Sequence, residues 1–185
     1  MSGKKLLTMS HVIFSVVGIA IYLTSFAMLF KYGMNLIALL SIALNIVALV
    51  CGLFYLKNNY RKESAQYYKT YMWILAVSEL FETATRLYSM PNGKMIDILS
   101  CIIPFALFLL LASAKDYGKK LSFIISIALI VSIICQIIPI VNTLALIKVN
   151  SVFVILDFIG QFTIAVVTAI MVCGKYIDKE SRGAK

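Results

Sequence analysis

Residues 34–56 read MNLIALLSIALNIVALVCGLFYL, a run of 23 positions without a charged side chain. An α-helix rises about 1.5 Å per residue, so about 20 apolar residues cross the hydrocarbon core of a bilayer. The apolar residues are continuous and do not alternate with period two, which favours a helix over a membrane β-strand. This run therefore predicts a transmembrane helix.

Similar apolar stretches lie on either side of this run. The predicted spans cover residues 11–30, 34–56, 70–88, 95–114, 121–141 and 151–174. Of all residues, 62% are hydrophobic and 14% are charged, whereas a soluble domain has about 25% charged residues. This composition excludes an ordinary soluble enzyme, a disordered chain and a nucleic-acid binder. We predict an all-α fold, in which residues 1–185 form one integral membrane bundle of six helices.

The basic residues predict how this bundle sits in the membrane. Of the 17 Lys and Arg residues, 13 lie in the two termini and in the second and fourth connections. The positive-inside rule therefore places both termini in the cytoplasm, and the basic face would meet anionic lipid head groups. The abundance of Ile, Lys and Asn suggests a bacterial plasma membrane.

Span three carries the charges that are hardest to place in hydrocarbon. At about 100° per residue, four polar residues share one stripe of the helix surface. They are Glu79, Glu82, Thr83 and Arg86. A charge at the centre of a transmembrane helix costs about 2.5–3.5 kcal/mol on insertion scales. The stripe is therefore predicted to face protein or water.

Span six runs in the opposite direction and carries two more polar residues, Asp157 and Gln161, one turn apart. From the rise per residue, Glu82 and Asp157 are expected at similar depths, and so are Glu79 and Gln161. We predict a polar pocket, open to the outer side, that binds a ligand or protons. Its residues are Glu79, Glu82, Arg86, Asp157, Gln161 and Gln136, the last in the outer third of span five.

Other interpretations of these residues remain open. They form either a buried ion-pair network that fixes the packing of the bundle, the ligand-binding or proton-binding site, or an interface with a partner membrane subunit. His11, at the inner end of span one, is expected to be an interfacial side chain. Four cysteines lie in spans without a C-x-x-C pair, and no nucleophile has a base nearby in sequence. We expect no metal, no cofactor and no enzymatic activity.

In size and number of spans, the chain resembles the substrate-binding subunits of energy-coupling-factor vitamin transporters. Those subunits carry an A-x-x-x-A motif in the first helix, whereas span one has Ala20 and Ala27. The resemblance implies transport, and no site residue is transferred from it. We therefore expect a component of small-molecule or ion transport that binds a small polar or cationic ligand. The alternative is a membrane sensor, immunity or scaffold protein that acts through a partner membrane protein.

Overall fold

The computed structural model describes residues 3–32, 36–57, 65–89, 95–113, 118–135 and 151–183, and these form six α-helices. In chain order they are α1 (Gly3–Tyr32), α2 (Leu36–Lys57), α3 (Ala65–Ser89), α4 (Met95–Ala112), α5 (Gly118–Cys135) and α6 (Ser151–Gly183). The prediction of an all-helical protein is confirmed for the described residues. Helices α1 and α6 extend beyond the apolar spans, because their polar ends continue the helix.

Four helices are long and apolar enough to cross a membrane. Their apolar segments are Lys4–Lys31, Leu36–Lys57, Gly118–Cys135 and Ile155–Tyr176. Helix α3 carries the charged stripe within its length, and the apolar part of α4, Ile102–Ala112, is shorter than a span. The structure thus shows membrane-type helices for four of the six predicted spans, and the other two spans remain predictions.

The helices pack in the order of the chain. Each packs against the next along the sequence, α6 packs against α1, and α2 also touches α6. The six helices therefore form a closed ring.

Polar side chains lie in the interior beside an apolar core, and large apolar side chains cover the exterior. Buried polar residues include Ser41, Asn45, Ser126 and Thr168. Large apolar residues cover the outside, among them Ile13, Val16, Leu80, Ile124 and Val131. An apolar exterior of this extent fits contact with lipid. The fold therefore has the character of a membrane protein.

Contacts between helices place several lysines at one end of the ring. Lys175 of α6 lies 5.3 Å from the Tyr68 ring of α3. The Tyr68 ring lies 5.6 Å from that of Tyr55 near the end of α2, and Ser122 of α5 bonds Tyr176 at 2.9 Å. We call this the lysine-rich end. Its helix ends carry Lys4, Lys5, Lys57, Lys69, Lys119, Lys120 and Lys175.

Helices α1 and α6 approach closely at two glycines. A Cβ on Gly160 would lie 2.8 Å from Cζ and 3.0 Å from Oη of Tyr22. A Cβ on Gly18 would lie 2.9 Å from Cδ1 of Leu49 and 3.0 Å from Cγ2 of Thr163. Small residues let helix backbones approach in a membrane. The glycine at 160 thereby leaves room for the Tyr22 ring.

Candidate functional site

Gln161 joins two acidic side chains from different helices. Its Nε2 donates to Oε1 and Oε2 of Glu82, each at 2.6 Å, and lies 3.4 Å from Oδ2 of Asp157. The side chain is only 2% exposed. An amide NH2 group carries two protons and can serve two acceptors. Gln161 therefore connects the acidic residues of α3 and α6.

Helix geometry explains why these acids meet. Asp157 and Gln161 are four residues apart and lie on one face of α6. On α3, Glu79 and Thr83 are each 8% exposed, and Thr83 Oγ1 donates to the Glu79 carbonyl oxygen at 2.8 Å. Glu79 and Thr83 of the polar stripe thus face the interior, as their spacing predicts. The depth estimate matched Gln161 with Glu79, and the structure bonds it to Glu82, about one turn further along.

Tyr22 of α1 completes the site. The ring is fully buried against Gly160, and the hydroxyl interacts electrostatically with Asp157, Glu82 and Glu79. We call Tyr22, Glu79, Glu82, Asp157 and Gln161 the acidic cluster. It is built from three helices that are far apart in sequence.

Sequence reasoning missed Tyr22, because α1 carries no charge at membrane depth. A signal was present in the spacing of four residues, which places them on one face of the helix. They are Ser15, Gly18, Tyr22 and Ser25, and all four are buried. A single sequence does not show which helix that face meets.

Two buried atoms of the acidic cluster have unused hydrogen-bonding capacity. Within the part of the chain that the structure describes, Tyr22 Oη and Gln161 Oε1 have no hydrogen-bond partner. A buried polar group left unsatisfied costs about 1–3 kcal/mol. Tyr22 Oη can donate or accept, and Gln161 Oε1 can only accept. Together with the carboxylates they offer several acceptors to a group that carries N–H donors.

The predicted site residues fall into two groups. Glu79, Glu82, Asp157 and Gln161 are all interior or half-buried residues around Tyr22. The side chain of Arg86 and the whole of Gln136 lie outside the described residues, so their assignment to the site stays a prediction.

A second polar group lies nearer the lysine-rich end. Tyr71 Oη hydrogen-bonds Thr168 Oγ1 at 3.0 Å and donates to the Ile164 carbonyl oxygen at 3.3 Å. His11, which was expected to be an interfacial side chain, is fully buried within the bundle. A Cβ on Gly52 would lie 3.4 Å from His11 Nε2 and 3.4 Å from Tyr71 Cε2. The imidazole and the Tyr71 ring therefore lie side by side next to Gly52.

Other features give no further chemistry. Among the described residues, no three His, Cys, Asp or Glu side chains are placed to hold a metal ion, and Cys51, Cys135 and Cys173 are free thiols. Comparisons with protein-family models, with curated proteins and with solved structures gave no match. A functional assignment therefore rests on the geometry of the acidic cluster.

Proposed function

We propose that this chain is a multi-pass plasma-membrane protein that acts in the transport of a small cation, and that the acidic cluster binds the cation. In this proposal all six helices cross the bilayer and both termini are cytoplasmic. The apolar exterior and the closed ring of helices support this placement. The gathering of lysines at one end agrees with the positive-inside rule.

The observation that carries the proposal is the bridge from Gln161 to Glu82 and Asp157. A neutral amide orients the two carboxylates at 2.6 Å and 3.4 Å and does not neutralise them. Burying an uncompensated carboxylate is costly, so a buried acid is either protonated or paired with a positive charge. A site of this kind favours a cation or a proton.

The balance of charge supports the same conclusion. The cluster contains three acids, Glu79, Glu82 and Asp157, and the predicted spans contain one Lys or Arg residue, Arg86. Arg86 follows Glu82 by four residues, a spacing that allows an ion pair on a helix. One arginine offsets one carboxylate, so the acids remain in excess. Ionisable residues inside a membrane commonly mark substrate or ion pathways.

The hydrogen-bond acceptors of the acidic cluster favour an ammonium group as the ligand. An alkylammonium ion carries its charge on a centre with up to three N–H donors. The cluster offers it the carboxylates of Glu82 and Asp157, the carbonyl oxygen of Gln161 and the hydroxyl oxygen of Tyr22. Charge-assisted hydrogen bonds to carboxylates are about twice as strong as neutral ones.

A thermal-shift experiment tests cation binding. The purified protein in detergent is heated with methylammonium, ethylammonium, tetramethylammonium, Na⁺ or K⁺, and with ethanol as a neutral match for ethylammonium. A bound cation at about 100 times its Kd stabilises the fold by about 2.7 kcal/mol. We expect an ammonium ion to raise Tm and ethanol to leave it unchanged.

Substitutions in the acidic cluster test whether the cation binds there. Glu82→Gln and Asp157→Asn should abolish the rise in Tm, whereas Glu180→Gln should retain it because residue 180 lies about 28 Å along α6 from Gln161. If no cation changes Tm of the wild-type protein, cation binding is refuted. A stoichiometric partner membrane protein found on gentle purification, together with no shift, would instead support the sensor, immunity or scaffold role.

A further inference from the structure

Side chains that can carry a proton continue from the acidic cluster towards the lysine-rich end. Tyr22, Tyr71 and His11 are each fully buried, and so are Ser15 and Thr168. They come from α1, α3 and α6, which surround the same part of the interior. Lipid-facing positions of these helices are apolar instead, for example Ile13 and Val16. The polar groups therefore form a line through the protein.

The first step of this line joins the cluster to Tyr71. The Tyr22 hydroxyl interacts electrostatically with the three acids of the cluster and also with Tyr71. Tyr22 packs on Gly160, and Tyr71 donates to the carbonyl oxygen of Ile164, one turn further along α6. Four residues correspond to a rise of about 6 Å, so Tyr22 and Tyr71 contact neighbouring turns of α6.

The second step joins Tyr71 to His11. Both side chains face the position above Gly52, where His11 Nε2 and Tyr71 Cε2 each lie 3.4 Å from the site of a Cβ. Met171 of α6 also lies 3.4 Å from that position, through its Sδ atom. On α1 itself, the buried Ser15 hydroxyl lies one turn away.

The length of the relay is the same whether it is measured along α1 or along α3. His11 and Tyr22 on α1 are separated by the same number of residues as Tyr71 and Glu82 on α3, a rise of about 16 Å in each case. From His11 to Lys4 is a further rise of about 10 Å. These rises cover most of a hydrocarbon core about 30 Å thick.

We propose that Tyr22, Tyr71 and His11 form a proton relay between the acidic cluster and the lysine-rich end of the bundle. A carboxyl group of the cluster takes up a proton at one end. Each tyrosine hydroxyl accepts a proton on its oxygen and passes its own to the next group, so the phenol need not ionise. His11 accepts at one ring nitrogen and releases from the other. One proton enters and one leaves, and the hydroxyl groups and the imidazole then rotate back to their starting orientations before the next transfer.

This relay extends the proposed function, because it would couple the cation site to a proton gradient. It rests on the acidic cluster being reachable from water, and not on the identity of the cation. Chains of acids and histidines serve as proton relays in membrane pumps and transporters. The relay predicts proton flux that depends on groups about 16 Å from the acids.

Proton flux in liposomes tests the relay. The full chain is reconstituted into vesicles that contain a pH-sensitive dye, and a potassium gradient with valinomycin sets the membrane potential. Flux is recorded with and without a methylammonium gradient. We expect the interior to acidify in the wild-type vesicles and the rate to fall by about tenfold or more in Tyr71→Phe and in His11→Gln, since each removes one proton carrier.

Tyr176→Phe is the matched control. It loses a buried hydrogen bond to Ser122 of 2.9 Å, comparable with the bond that Tyr71→Phe loses to Thr168, and Tyr176 is not one of the three relay residues. We expect flux to be retained in this variant. Tyr22→Phe provides a second isosteric change on the line, should His11→Gln fail to fold, and we expect it to lower the flux as well.

The outcomes separate the two proposals. If wild-type vesicles conduct no protons under either condition, or if Tyr71→Phe and Tyr22→Phe conduct as well as wild type, the relay is refuted. In that case a rise in Tm with an ammonium ion would leave the cation site standing. Proton flux without any ammonium-dependent rise in Tm would support the relay and refute the cation site.

Discussion

Gln161 holds the acidic cluster together at the scale of the single residue. Its NH2 group satisfies both oxygens of Glu82 at 2.6 Å, and no other side chain of this size offers two donors without adding a charge. A lysine at this position would neutralise the acids and occupy the place of a cation. Glutamine orients the carboxylates and leaves their charge for a ligand or a proton.

Replacement of Gln161 by leucine tests this role. Gln161→Leu keeps the volume approximately and removes the donors to Glu82, so we expect the free energy of unfolding to fall by about 2 kcal/mol. Gln66→Leu is the control, because Gln66 is exposed on α3, and its effect should be within about 0.5 kcal/mol. Unfolding by SDS in mixed micelles measures both. Equal effects of the two substitutions would contradict the structural importance of the bridge.

At the scale of the helix, the approach of α1 to α6 depends on Gly160. A methyl group there would lie 2.8 Å from Cζ of Tyr22, and a phenol ring between packed helices cannot move aside as a flexible chain can. We expect Gly160→Ala to lower the free energy of unfolding by about 1–3 kcal/mol. Gly52→Ala meets its nearest atoms at 3.4 Å and should cost less.

The measurement is thermal unfolding of both glycine variants in detergent. Gly160→Ala should also weaken any ammonium-dependent rise in Tm, because the Tyr22 hydroxyl is displaced. If Gly160→Ala unfolds at the wild-type temperature, α1 and α6 are not packed as closely as described.

A hydrogen bond between hydroxyl groups joins α2 to α3. Ser41 Oγ and Ser78 Oγ are 2.8 Å apart and buried. Interhelical hydrogen bonds in membrane proteins contribute about 0.6 kcal/mol on average. A double-mutant cycle of Ser41→Ala and Ser78→Ala should give a coupling energy of about that size. Thr24→Ala, which removes an exposed hydroxyl bonded within its own helix, should show no coupling to either.

The helices and the inward polar stripe of α3 could be predicted from sequence, because both depend on local periodicity. The continuous apolar runs predicted the helices, and the spacing of Glu79 and Thr83 predicted their burial. The contribution of Tyr22 could not be predicted in the same way. It depends on contact between helices at opposite ends of the chain, and a tyrosine in a membrane helix is also compatible with an interfacial position. The burial of His11 could not be predicted for the same reason, since its imidazole lies beside Gly52 of another helix.

At the scale of the whole molecule, the lysine-rich end and the acidic cluster lie on different levels of one bundle. The cation–π contacts of Lys175 with Tyr68 and Tyr176, at 5.3 Å and 5.4 Å, belong to the lysine-rich end. Counted from Tyr68 on α3 and from Lys175 on α6, the acids lie roughly 16–27 Å further along the helices. A bundle with this polarity would present basic groups to one leaflet and a negatively charged site towards the other side. The orientation of the bundle in the membrane therefore determines which compartment supplies the cation.

Labelling of single cysteines in intact cells tests that direction. In a background without the native cysteines, Lys31→Cys lies at the end of α1 opposite the lysine-rich end, and Lys120→Cys lies at the start of α5 within it; both positions are exposed. With both termini in the cytoplasm, a membrane-impermeant maleimide should label Lys31→Cys in intact cells and Lys120→Cys only after permeabilisation. The reverse labelling pattern would mean that the bundle has the opposite orientation in the membrane. The acidic cluster would then take its cation from the cytoplasm. Labelling of both positions in intact cells would contradict a bundle that spans the membrane between them.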